Sequence, residues 1–185
     1  DADRVREYLD DLNEVLIAAL DGLGRLVRAD VLVVVLTDEE SQDSVVRAAR
    51  SPDGIWLEGR VVPKDDTSLA SAVGEVRSLL KRDIVGSYWN EVLERSPVDM
   101  LCVPLVKNDD TLGALIAVGD TDSIRESDIA LVEHIAATVV VAVEKAWLFH
   151  DLETFADEIE RSQNQLIQAE KMAAVGRLTA SLAHE

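Results

Sequence analysis

The chain has 185 residues, 48% hydrophobic and 29% charged, a globular balance long enough to bury a core in one or two domains. Eighteen Lys and Arg against 36 Asp and Glu give a net charge of −18, which argues against nucleic-acid binding and against docking on an anionic membrane. The single Cys102 excludes an intramolecular disulfide framework and any all-cysteine zinc or iron–sulfur site within one chain.

Residues 3–29 predict one amphipathic helix, because Val5, Leu9, Leu12, Leu16, Ala19, Leu23 and Leu26 recur at alternating spacings of 4 and 3. Residues 31–36 (VLVVVL) form a short apolar, β-branched run and predict a buried strand. A turn at 38–41 leads to a second strand at 44–50 with arginines on its exposed side. Ser51-Pro52-Asp53-Gly54 signals a loop, and a mixed segment follows as far as Pro97. Within it, residues 68–76 predict a short helix capped by Asp66 or Thr67, and residues 77–80 a third strand. Residues 100–106 and 112–118 read as two apolar strands joined by a polar hairpin loop at 107–111.

The order is helix, two strands, mixed segment, two strands, helix. That pattern predicts an α+β domain, an antiparallel sheet of five to six strands with helices on one face, ending near Lys145. Residues 127–185 then read as a single helix, about 90 Å long at 1.5 Å per residue. Its apolar run near 135–143 is about half of the roughly 20 residues a membrane span requires, and no signal-peptide pattern opens the chain. Beyond that run, Leu148, Leu152, Phe155, Ile159, Leu166, Ala169 and Ala173 keep a heptad register, with Ser162 as a polar break. Such a stripe predicts a parallel homodimer. The chain opens on Asp1 without an initiator Met, and the helical pattern still runs at His184 and Glu185. The expectation is therefore a cytoplasmic piece of a longer protein, any membrane anchor lying elsewhere.

Near the end, Met172, Val175, Leu178 and Leu182 share one stripe of the helix, and His184 lies opposite it, facing solvent. An exposed imidazole can act as a nucleophile, and Glu185 beside it can take the ring proton or hold the tautomer. Spacing alone favours a surface histidine next to a surface glutamate. The residue string AEKMAAVGRLTASLAHE, 169–185, decides between them, since it closely resembles the phosphoacceptor helix of dimeric sensor histidine kinases. The resemblance implies that His184 is phosphorylated from ATP with Mg, that Glu185 is the adjacent acid/base residue, and that a response-regulator aspartate receives the group. The family's ATP-binding domain has no counterpart in these 185 residues, so this stretch alone is expected to be inactive as a kinase.

The first 145 residues resemble a GAF sensor domain, on the opening helix, VLVVVL, DTSLASAVGEVRSLLKRD, the pair MLCVPLV and LGALIAV, and the closing ESDIALVEHIAATVVVAVEKA. The resemblance implies a sensor fold and leaves its ligand unknown. Residues 146–168 resemble the coiled signalling helix that joins such sensors to kinases, and 169–185 begin the dimerisation helix. Homodimerisation is expected through both the N-terminal helix and the coil.

Cofactor readings find little support. Cys102 sits in an apolar strand with no neighbouring His, which makes a buried thiol a better reading than a bilin attachment. His134 and His150 lie on the closing helix and the coil, poor places for a haem ligand. The acidic signature of cyclic-nucleotide GAF domains is not recognisable, and Asp65-Asp66 and Asp109-Asp110 read as solvated turns rather than metal sites. Trp56, Tyr88 and Trp89 remain. With Arg60 or Arg82 nearby they could wall a pocket for a flat or anionic small molecule, or simply plug the sheet as core. The second reading makes the chain a dimerisation and interaction module without a ligand.

Overall fold

The computed structural model describes residues 2–38, 43–52, 55–63 and 67–182, with side chains from residue 12 onward except at 67–68, 176 and 178–182. The chain divides into two compact units, residues 1–144 and 145–185. The first is a six-stranded antiparallel sheet in the order β3-β2-β1-β6-β5-β4. Its elements are α1 (Ala2–Gly24), β1 (Val31–Thr37), β2 (Ser44–Arg50), β3 (Val61–Val62), α2 (Thr67–Gly74), β4 (Leu79–Ile84), α3 (Tyr88–Leu93), β5 (Val98–Lys107) and β6 (Asp110–Gly119). Helix α4 (Glu126–Leu182) closes this unit and supplies the second.

The central strands are buried on both faces, which is why they read as continuous apolar runs. Strand alternation sends Val31, Val33 and Val35 into one core with Met100, Cys102, Ile116 and Trp89. Leu32, Val34 and Leu36 point to the opposite face, where α1 packs on β1 and β2. Helices therefore lie on both faces and not on one, because α2 and α3 cover the side that α1 leaves open.

Three sequence expectations shift. Helix α1 stops at Gly24, and tight turns at Arg25 and Leu26 follow it. Its buried stripe is accordingly Leu12, Leu16, Leu20, Leu23 and Val27, while Leu26 is exposed. Arg77 belongs to a turn, since Val76 takes a left-handed φ of 49°, so the strand expected at 77–80 runs instead over Leu79–Ile84. The hairpin between β5 and β6 is tighter than a five-residue loop. Asn108 and Asp109 both have positive φ, 46° and 73°, and Lys107 pairs directly with Asp110 in a two-residue turn. Opposite β1, Gly113 is obligatory. A Cβ there would overlap the Val35 carbonyl oxygen, and its φ of 153° disfavours a side chain.

Along α4, Val132, Ala136, Val139 and Val143 are buried at spacings of 4, 3 and 4. Two polar contacts tie this part of the helix to the sheet: Ser78 donates to Glu133 at 2.5 Å, and Lys107 pairs with Glu144 at 3.2 Å. Among the described residues no helix is long and apolar enough to cross a membrane.

Candidate functional site

The sheet face under α2 and α3 holds two of the side chains that the sequence marks for ligand binding, Tyr88 and Trp89. Helix α3 has only six residues, so its placement depends on its ends. Ser87 caps it, accepting from the Asn90 amide at 3.4 Å while its own amide donates to Asn90 Oδ1 at 2.8 Å. Asn90, itself buried, also donates from Nδ2 to the carbonyls of Ile84 and Arg95, each at 3.0 Å. One amide side chain thus fastens both flanks of α3 and turns Trp89 into the core.

Trp89 is 0% exposed and stands edge-on to Tyr88, with ring centroids 5.0 Å apart and planes at 76°. The Tyr88 hydroxyl and the Trp89 Nε1 both lack a hydrogen-bond partner. Unpaired buried donors of this kind are costly. The other two pocket candidates face outward. Trp56 is 70% exposed, and Arg60 is exposed in the connection from β2 to β3, where its backbone carbonyl accepts from the Val46 amide. Leu57 and Val62 fill the core beside them.

Arg82 pairs with a buried carboxylate. Its guanidinium donates to Asp99 at 2.6 Å, and Asp99 is 0% exposed. The Asp99 carboxylate also accepts the backbone amides of Asp83 at 3.0 Å and Asp122 at 2.8 Å. Both of those residues have positive φ, 50° and 61°, so one buried carboxylate holds two unfavourable backbone conformations and ties the end of β4 to the loop before α4. Sequence reasoning missed Asp99. Its only signal was a carboxylate inside the apolar run VDMLCVPLV.

Next to this hub, Arg95 bridges Asp30 and Asp120 at 2.7 and 2.6 Å. The hydrogen bond to Asp120, and then the charge of Asp30, hold the guanidinium above its ordinary pKa. Open grooves lie away from Trp89. One of about 640 Å³ is lined by both charges, Arg25, Arg28 and Arg50 with Asp30, Asp120 and Asp122; one of about 510 Å³ runs between β4 and α4, and one of about 410 Å³ between β5, the turn before β4 and α4.

Cys102 is a buried core thiol, and His134 and His150 are exposed on α4. Among the described residues, no group of three His, Cys, Asp or Glu could hold a metal ion. His184 and Glu185 lie outside the described residues.

Comparison with known proteins agrees with this architecture. The GAF domain family model matches residues 11–143. A structure of the blue-light absorbing form of the PixJ GAF domain from Thermosynechococcus elongatus is similar, at 20% identity and TM-score 0.62, covering 83% of this chain and 95% of that one. A GAF domain/HD domain protein from Geobacter sulfurreducens gives 17% identity and TM-score 0.64, over 76% and 96% of the two chains. A type II free methionine-R-sulfoxide reductase from Thermoplasma acidophilum gives 13% identity and TM-score 0.62, over 75% and 96%. At these identities the likeness is one of fold. No curated protein matches the chain.

Proposed function

The chain belongs to the GAF domain family, a class of sensory and regulatory modules, and from that premise we propose that it is the sensing and dimerising part of a two-component sensor histidine kinase. In the intact kinase the imidazole of His184 attacks the γ-phosphate of ATP, and the phosphoryl group passes to an aspartate of a response regulator. Glu185 acts as the neighbouring acid/base residue. The observation that carries this reading is continuity: α4 closes the sensor unit and remains one helix through Leu182, into the string that resembles a phosphoacceptor site. Control then runs through the helix. A change at the sheet face alters how α4 and its copy in a homodimer are held, and so alters access to His184.

Phosphorylation in trans tests this directly. The chain, extended through the helical hairpin and mixed with an ATP-binding domain and labelled ATP, is expected to take up label that His184→Gln abolishes. A folded dimer that stays unlabelled would reduce the helix to a structural stalk.

A second reading rests on a different observation, the complete burial of Trp89. The chain is then an interaction module whose GAF unit takes no ligand. A ligand-binding unit gains thermal stability when its ligand is added, and a unit permanently plugged by Trp89 gains none.

A further inference from the structure

The groove at the end of α1 stands apart from the Tyr88 and Trp89 face, and among the described residues neither α2 nor α3 lines it. Its volume of about 640 Å³ suits a small molecule. Arg25 and Arg28 reach it from the connection between α1 and β1. Asp122 and Ser123 reach it from the loop between β6 and α4.

We propose that this groove binds a small zwitterion, with a carboxylate held by Arg25 and Arg28 and an ammonium held by Asp122. The site lies outside the kinase reading and does not depend on it. Three observations carry the proposal.

First, the protein leaves one set of each charge uncommitted. Of the carboxylates lining the groove, Asp30 and Asp120 are both held by Arg95, at 2.7 and 2.6 Å. The Asp122 side chain is 86% exposed, and its ion pair among the described residues is a 3.6 Å approach to Arg82, whose closer partner is Asp99 at 2.6 Å. Of the arginines, Arg50 faces Asp21 at 3.7 Å, whereas Arg25 and Arg28 make no ion pair among the described residues. Two guanidiniums on one segment thus stand across from one carboxylate on the other.

Second, the wider charge selects the class of ligand. A net charge of −18 repels a free anion, and three arginines around the groove repel a free cation. A molecule that carries both charges and no net charge meets neither penalty.

Third, the groove contains a hydroxyl in want of a partner. Ser123 Oγ is buried without a hydrogen bond, packed where a Cβ on Gly119 would overlap it. A carboxylate oxygen in the groove would accept from that hydroxyl and remove the deficit.

Titration of this chain with ω-amino acids of increasing length (glycine, γ-aminobutyrate and ε-aminocaproate) tests the proposal, followed by amide NMR at low salt, where exposed ion pairs are least screened. At least one member is expected to move the amides of residues 24–30 and 120–123 and to leave the Trp89 indole resonance in place. It should bind about tenfold more tightly than the matching carboxylate or amine alone, butyrate or butylamine for the four-carbon case. Arg28→Gln and Asp122→Asn are each expected to weaken that binding about tenfold. Neither should disturb the fold, since Arg28 is exposed and asparagine keeps the Asp122 backbone amide on Asp99 and tolerates its φ of 61°. Ser123→Ala, which changes no charge, should cost about threefold. Three results would overturn the proposal: no response to any member of the series, butyrate binding as tightly as γ-aminobutyrate, or a response centred on the Trp89 indole. Phosphate transfer at His184 enters none of these readouts, so the two readings fail separately.

Discussion

The two apolar surfaces of this protein meet opposite fates. Under α2 and α3, the sheet face is sealed by the chain's own Trp89, Leu57, Val62 and Leu69, down to two donors left without acceptors. On the second unit, α4 carries an apolar stripe of similar chemistry that stays exposed. The difference follows from geometry. A strand pair presents a surface wide enough for a short helix of the same chain to cover, whereas a lone helix shows a narrow seam that another helix fits best. A sensor face that satisfies itself and a connector that cannot are suited to different work: one to holding or refusing a small molecule, the other to joining two chains.

The comparison breaks most sharply at Trp89. Trp89→Ala is expected to destabilise the GAF unit by about 3–5 kcal/mol, read by urea denaturation, because it removes a fully buried indole that α3's caps hold in place. Adding free indole should raise the melting temperature of that variant and leave the native chain unchanged. If the native chain responds equally, the face is open rather than sealed.

A smaller effect is expected at the polar hub. Asp99→Ala strips the acceptor from the amides of Asp83 and Asp122 and from Arg82, at a cost of about 1–3 kcal/mol. The discount from a fully buried pair reflects Arg82, which is 36% exposed and regains water. Hydrogen exchange should speed up together at the end of β4 and in the loop before α4, and not in β1; exchange confined to one of the two would show that the carboxylate does not couple them.

The coil should answer in the reverse sense. Leu152→Asp is expected to change unfolding of the first unit by no more than about 0.5 kcal/mol, since the side chain is largely solvated already, yet to abolish self-association in sedimentation. Equal loss in both measurements would mean that the seam stabilises the monomer.

Much of this was legible beforehand. VLVVVL, MLCVPLV and LGALIAV read as central strands because burial on both faces leaves no polar alternation to obscure them. The heptad beyond Lys145 read just as clearly. Helix α3 and the two-residue strand β3 did not, being too short to carry a period, and the only local sign of α3 was Ser87 three residues before Asn90. Of the four pocket candidates, Trp89 is buried in the core and Tyr88 is partly buried against it. Sequence reasoning gave Trp56 an inward role as well, and the structure turns it to solvent.

By itself, the sequence determined what local chemistry can determine: strands from β-branched runs, helices from 3.6-residue periods, and a long closing helix with a heptad stripe. Tertiary structure alone decided which residues meet across distance. It paired Arg82 with Asp99, set helices on both faces of the sheet, and buried Trp89 while exposing Trp56. Those choices depend on how the chain returns upon itself, and no window of neighbouring residues contains that information.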